Sequence, residues 1–304
     1  MLGKIIKSLT SFSKKPATLI AIHVGRSVLS LLEVKHDSII RNSTLDYSAD
    51  NWQQPLQQLL SNTPSRSRLH LVLAPEFYQV VQLDKPALSE AELLQALPWQ
   101  VKDLVTIPPE DMLADYIDLP GYAPAQAKIN VVVARLSWLK QLVQLVQLQG
   151  MQLQSVQPEE WLAQRLLPKT SHATMLVIQQ PEQEVLIQIV CDGLLYFSRR
   201  TRGFSRMQLN AEPQMQSDML DRLQLELQRS MDYFESQLKQ PPVRDIRLLM
   251  PGAELMRAQL QHNGFSRVEL LQPAAGGAEL TAVQLLSYWP ALAALQLNAQ
   301  EIAA

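Results

Sequence analysis

Short apolar runs open the chain: TLIAIHV from Thr18 to Val24, VLSLLEV from Val28 to Val34, and an alternating run from Ser38 to Tyr47. Runs of this length and composition predict strands, and Gly25 with Lys35 to Asp37 supplies the turns of a meander. Helical spacing follows at Trp52, Leu56, Leu59 and Leu60, and a further strand is predicted from Arg68 to Leu73. Ser89 and Glu92 form a capping box that starts a helix through Leu93, Leu94 and Leu97, which Pro98 is expected to kink or end. Lys128 to Ala134 reads as a buried strand, and Ser137 as the cap of a helix whose apolar side is Leu139, Leu142, Val143 and Val146.

The pattern then begins again. Thr174 to Gln179, Val185 to Cys191 and Leu194 to Arg200 form a second meander, turned at Pro181 to Glu184 and at Asp192-Gly193. A long helix follows near Ser217 to Lys239. Counting from Thr18 to Thr174, the two meanders start 156 residues apart, the mark of a duplicated α/β architecture with mixed sheets.

Two stretches resemble the type IV pilus assembly protein PilM family. The first is the helix-to-strand passage ALPWQVKDLVTIPPEDMLADYIDL, with Ile107, Pro108, Glu110, Asp111, Asp115 and Tyr116 at the matching positions. The second is LELQRSMDYFESQL, with Arg229, Ser230, Asp232, Tyr233 and Phe234. The resemblance runs from Thr18 to Leu297 and is nearest the MshI branch, which serves mannose-sensitive haemagglutinin (MSHA) pili. It implies a two-lobed actin-like fold of the ASKHA type, with duplicated βββ-α halves. Residues 1–17 would be a basic amphipathic leader, 18–167 the first lobe with a small inserted subdomain at about 83–134, and 168–304 the second lobe.

Composition narrows the function. A net charge of -2 and a pI near 6.2 argue against a dedicated nucleic-acid binder. The single Cys191 excludes an internal disulfide framework and a multi-thiolate metal site, and fits a reduced, cytoplasmic home. The first fifteen residues carry Leu2, Ile5, Ile6, Leu9 and Phe12 on one helical side with Lys4, Lys7, Lys14 and Lys15 around them. They are either a peripheral contact to the bacterial inner membrane or a leader docked on protein. Ala282 to Leu297 is too short, and interrupted by Pro290, to span a bilayer. The histidines His23, His36, His70, His172 and His262 lack ligand spacing and read as turn or surface residues. Asp111, Asp115 and Asp118 read as solvated acids of an edge strand, and Gly276-Gly277 as a loop before the last helix.

The resemblance implies three nucleotide-binding turns, and each departs from the family pattern. The first falls on His23, Val24, Gly25, Arg26 and Ser27, where a histidine replaces the acid that positions hydrated Mg²⁺. Arg26 is either a phosphate fork or a solvent-facing turn residue. The second falls on Ile178 to Glu184, with no glycine and with Pro181 lacking an amide hydrogen; the third keeps only Gly252. Gly25, Arg26, Ser27 and Gly252 are therefore a vestigial site. The expectation is a chain without cofactor or catalysis, the alternative a divergent ATPase using ATP with Mg²⁺.

Binding is the remaining role. Trp99, Ile107 and Pro108 are candidates to receive the tail of a PilN-like bitopic inner-membrane protein, which the resemblance implies as partner within the pilus assembly platform. Trp99 otherwise closes the core of the insertion, whereas Trp138, Trp161 and Trp289 read as core. The same docking would serve a GspL-like part of a type II secretion machine. The glutamine-rich faces of QLVQLVQLQGMQLQ and RLQLELQRS read first as exposed faces, with a partner or self-association surface as the alternative.

Overall fold

The computed structural model describes residues 18–36, 38–48, 51–123, 126–205, 213–273 and 279–296. The basic leader and Gly276-Gly277 lie outside them. The described residues divide into two compact units, one within 18–118, 126–163 and 288–296, the other within 119–123 and 164–287. The second unit begins at Gln164 and gives up the C-terminal segment from Tyr288 to the first, a return that local periodicity does not encode.

In the first unit, β1 (Leu19–Val24), β2 (Val28–Lys35) and β3 (Ser38–Asp46) form the meander. With β4 (Arg68–Leu73) and β8 (Gln152–Pro158) they make a sheet ordered β3-β2-β1-β4-β8. The β1-β2-β3 pairs are antiparallel, while β4 runs parallel to both β1 and β8. Helices α1 (Gln53–Ser61) and α3 (Leu136–Leu148) bury Leu56, Leu60, Leu142 and Val146 against Ile20, Ile22, Leu29 and Leu31. The edge strand β3 alternates exposed and half-buried positions, as one covered face dictates.

The insertion carries its own sheet, ordered β5-β7-β6, from β5 (Tyr78–Asp84), β6 (Met112–Leu119) and β7 (Lys128–Arg135). Helix α2 (Glu90–Val101) starts at the capping box of Ser89 and Glu92. Its Leu93, Leu97 and Val101, spaced by one helical turn, bury against Ile129, Val131 and Val133 of β7. The helix runs through Pro98 rather than ending there. A proline so near the C-terminal end removes one intrahelical bond while the buried stripe on either side holds the last turn.

The second unit repeats the plan. β9 (Thr174–Ile178), β10 (Val185–Cys191) and β11 (Leu194–Thr201) form the meander; β12 (Asp245–Leu249) and β13 (Val268–Leu270) complete a sheet ordered β11-β10-β9-β12-β13. Again the meander is antiparallel and the remaining pairs parallel. Asp192 and Gly193 both have positive φ, 52° and 74°, the geometry of a type I′ hairpin. Leu223, Leu227 and Phe234 of α4 (Pro213–Ser236) and Met256 and Leu260 of α5 (Ala253–His262) cover one face. Helix α6 (Ala282–Leu295) follows.

Candidate functional site

In each unit the turn between the first two strands sits at the C-terminal end of parallel strands, the place where an α/β sheet offers a ligand its free backbone groups. In the first unit those groups are engaged within the chain. The Gly25 N–H donates to the Val28 carbonyl at 2.9 Å. The Gly25 carbonyl accepts the Tyr47 hydroxyl, and the Ser27 carbonyl accepts the Tyr47 N–H at 2.8 Å. Burial pushes the Tyr47 phenol far above its ordinary pKa, so it remains a neutral donor. A Cβ on Gly25 would lie 2.8 Å from the Val28 carbonyl oxygen, so close packing of the hairpin demands glycine. Arg26 and Ser27 are exposed.

His23 is neither a turn nor a surface residue. It lies inside β1 at 2% exposure, with Nε2 2.7 Å from Oε2 of the fully buried Glu159, just beyond β8. Among the described residues Nδ1 has no hydrogen-bond partner, which assigns the ring proton to Nε2 as a donor to the Glu159 carboxylate. His70 is likewise buried, with Nδ1 2.9 Å from Ser155 Oγ. Alternation of β1 and β4 between two covered faces puts both rings inside, a tertiary effect absent from the local pattern.

The second turn is filled in a similar way. The Gln183 N–H donates to the Gln180 carbonyl at 3.1 Å, and Gln179 Nε2 to the Phe204 carbonyl at 2.7 Å. Glu184 receives the Gly203 N–H at 3.1 Å on one oxygen and the Phe204 N–H at 2.7 Å on the other. Two successive backbone amides aimed at one anion form a concavity of the kind that binds phosphate, and here a carboxylate of the chain occupies it.

The third turn holds Gly252 in the left-handed region, at φ 66°, as the N-cap of α5. Beside it opens a cleft of about 810 Å³, lined chiefly by apolar groups that include Leu249, Met250, Pro251, Leu271, Val283 and Leu286. The acidic group at its rim, Glu254, pairs with Arg257 at 2.5 Å. A buried imidazole at position 23, two turns whose Gly25 and Gln183 amides already bond within the chain and an apolar third offer few of the oxygen ligands and free amides that Mg²⁺ and a polyphosphate take. Among the described residues no cluster of three or more His, Cys, Asp or Glu could hold a metal ion.

The candidate docking residues separate. Trp99 is 66% exposed on the outer side of α2, beside Leu104 at 57%. Pro108 is exposed as well. Ile107 is instead buried at 6% in the core of the insertion, so it supports that surface from beneath rather than forming it. β5, an edge of the insertion's sheet, presents Val80 at 37% exposure. Trp289 is buried, and Trp138 stacks on Phe77 at 4.5 Å between ring centroids.

The acids of the insertion are not simply solvated. Asp111 receives the Ser137 N–H at 2.7 Å, the Ser137 hydroxyl at 2.9 Å and Arg135 at 3.2 Å. It therefore caps α3, which lacks a side-chain cap of its own, and Ser137 is the capped residue rather than the cap. Asp115 is buried at 5%, and Asp118 pairs with Lys85 at 2.5 Å. In the second stretch, Phe234 is core and Tyr233 meets the Tyr122 hydroxyl at 2.9 Å.

Duplicated meander-and-helix units with an inserted small sheet define the class: this is an α/β protein of the actin-like fold. Among solved structures it is similar to a PilM-PilN type IV pilus biogenesis complex, with a TM-score of 0.64 at 15% identity over 94% of this chain and 99% of that one. It is also similar to the cytoplasmic domain of EpsL, an inner-membrane component of the Vibrio cholerae type II secretion system (0.52, 13% identity, 91% and 95% covered). A Bacteroides thetaiotaomicron protein with an actin-like ATPase fold scores 0.51 at 11% identity, with 92% and 99% covered. No protein-family model and no curated protein sequence matches the chain. Among the described residues no helix is long and apolar enough to cross a membrane.

Proposed function

We propose that this chain is a non-catalytic adaptor of actin-like fold, working at the cytoplasmic side of a bacterial inner membrane. It docks the N-terminal tail of a PilN-like bitopic protein and so joins the assembly platform of an MSHA-like type IV pilus. The observation that carries this reading is the contrast between the two kinds of site. Polar groups of the first two turns, the Gly25 and Gln183 amides and the Glu184 carboxylate among them, are engaged within the chain, whereas the insertion exposes Trp99 and Leu104 and has β5 as an edge of its sheet. An exposed indole and a strand edge in one small insertion suit an extended peptide, whose backbone would continue the sheet while its apolar side chains reach for the ring. Likeness to a PilM-PilN complex supports the choice of partner.

Calorimetric titration with synthetic tails of candidate PilN-like proteins tests it. Micromolar binding that is the same with and without Mg²⁺ and ATP is the expected result. Binding that requires nucleotide would favour a divergent ATPase whose state switches docking. The EpsL likeness gives a second reading, a secretion-system component with the same docking logic. Preference for a type II secretion tail over a pilus tail in the same titration would select it.

A further inference from the structure

We propose that the basic leader, residues 1–17, is the resting occupant of the insertion's stretch from Trp99 to Glu110, and that it screens Trp99 and Leu104 until a partner tail displaces it. The competition with a tail rests on the docking reading above; the attachment of the leader does not.

Charge is segregated along this chain. The leader carries Lys4, Lys7, Lys14 and Lys15 and no acid, whereas the insertion, 83–134, carries eight acids and three lysines. The net charge of -2 therefore hides an excess of four positive charges in one segment and five negative in the other, with the remainder one charge from neutral. Most of the insertion's acids serve the fold. Asp84 pairs with Lys128 and Asp118 with Lys85, Glu92 completes the capping box, Asp111 caps α3 and Asp115 is buried. Glu90, at the start of α2, lies in the field of Lys85. Asp103 and Glu110 are exposed and make no ion pair among the described residues. They belong to the same stretch as the exposed Trp99, Leu104 and Pro108, in which Lys102 is the one base. Ile107 anchors this stretch in the core of the insertion, and Gln79 of β5 holds Thr106 with bonds of 2.6 and 3.1 Å. The stretch is thus tied to the edge strand β5 and combines exposed apolar groups with unneutralised carboxylates. Leu2, Ile5, Ile6, Leu9 and Phe12, at helical spacing among lysines, complement it in both respects.

The tether is long enough. β1 and β4 run parallel with Leu19 opposite Arg68, and the insertion leaves the sheet after β4. Thr18 therefore lies about one six-residue strand, ~20 Å, from the root of the insertion. Seventeen residues span up to ~60 Å when extended. A tether of this length holds the leader at roughly millimolar effective concentration, so even a weak contact stays populated.

The test is zero-length carbodiimide cross-linking of the full chain, which joins a lysine amine to a carboxylate in contact, read by peptide mass spectrometry. Lys4, Lys7, Lys14 or Lys15 should be joined to Asp103 or Glu110 in the monomer fraction, with a yield that falls as salt is raised. Asp103→Asn combined with Glu110→Gln should remove these links and keep the Lys85 to Asp118 link, which reports that the insertion is folded. In the tail titration, a full chain carrying Lys4→Glu, Lys7→Glu, Lys14→Glu and Lys15→Glu should bind ~10-fold more tightly than wild type, because a leader bound nine-tenths of the time leaves about a tenth of the chains open. Leader lysines linked only to acids of the second unit, linked only between chains, or linked nowhere while the Lys85 to Asp118 link forms would overturn the proposal. Leader lysines that link nowhere in solution and become protected only on phosphatidylglycerol vesicles would assign the leader to the membrane instead. Equal tail affinity in the two chains would overturn the screening. If neither chain binds any tail, the docking reading fails, and the cross-links still decide where the leader sits.

Discussion

The carboxylate of Asp111 accepts both the backbone N–H and the hydroxyl of Ser137, at 2.7 and 2.9 Å, across 26 residues of sequence. A turn inside the insertion thereby caps α3, the helix that packs the core of the first unit. These bonds hold the Asp111 carboxyl below its ordinary pKa, the Ser137 backbone contributing most. A depressed folded-state pKa stabilises the fold above the ordinary value of about 4, and the benefit is lost as pH falls through the folded value. Asp111→Ala is expected to lower Tm at pH 7, and the gap from wild type should close as the melt is repeated toward pH 2. Asp111→Asn, which keeps one acceptor, should fall between them.

The first turn gives a steric expectation. Gly25→Ala would force a Cβ to within 2.8 Å of a backbone oxygen that cannot move without opening the β1-β2 hairpin. A loss of ~1 to 3 kcal/mol in denaturant melts is expected, the usual scale of overpacking. Tyr47→Phe should cost ~1 to 2 kcal/mol, because it leaves the Gly25 carbonyl without its donor. If the turn were a rebuilt nucleotide site, ligand would offset either loss; here Mg²⁺ with ATP should not.

Removing one member of the buried pair is a separate matter. His23→Ala removes the N–H donor 2.7 Å from the buried Glu159 carboxylate, and a loss of ~1 to 3 kcal/mol is expected, the scale of taking one partner from a buried hydrogen bond. The substitution His23→Gln, which keeps an N–H donor, should lose less. Urea melts of the two variants side by side would show the order.

How much of this was legible in the sequence follows from range. The meanders and the capping box are local, set by period-two runs, by turns such as Asp192-Gly193 and by the spacing of Ser89 and Glu92, so they read directly from the chain. Gly25 could be placed on a turn for the same reason, whereas Arg26, Ser27 and Gly252 were reached through the family resemblance. What joins elements could not be read. His23 and Glu159 are 136 positions apart, and the burial of His23 depends on which strands flank β1. Asp111 looked like a solvated acid because the helix it caps begins 25 positions later. Ile107 and Pro108 are adjacent in a turn without periodicity, so nothing local could tell the buried one from the exposed one.

Helix α2 offers the clearest separation of stability from binding. Leu97 is fully buried against β7, whereas Trp99, two residues on and therefore on the other side of the helix, is 66% exposed. Leu97→Ala should cost ~2 to 5 kcal/mol through the cavity it leaves. Trp99→Ala should change folding stability by no more than ~0.5 kcal/mol, since no core contact is lost. In the peptide titration the exposed indole is the anchor, and its removal should weaken tail binding at least ~30-fold, equivalent to ~2 kcal/mol. A Trp99→Ala chain that binds the tail as tightly as wild type would move the docking surface away from α2, toward the edge of β5.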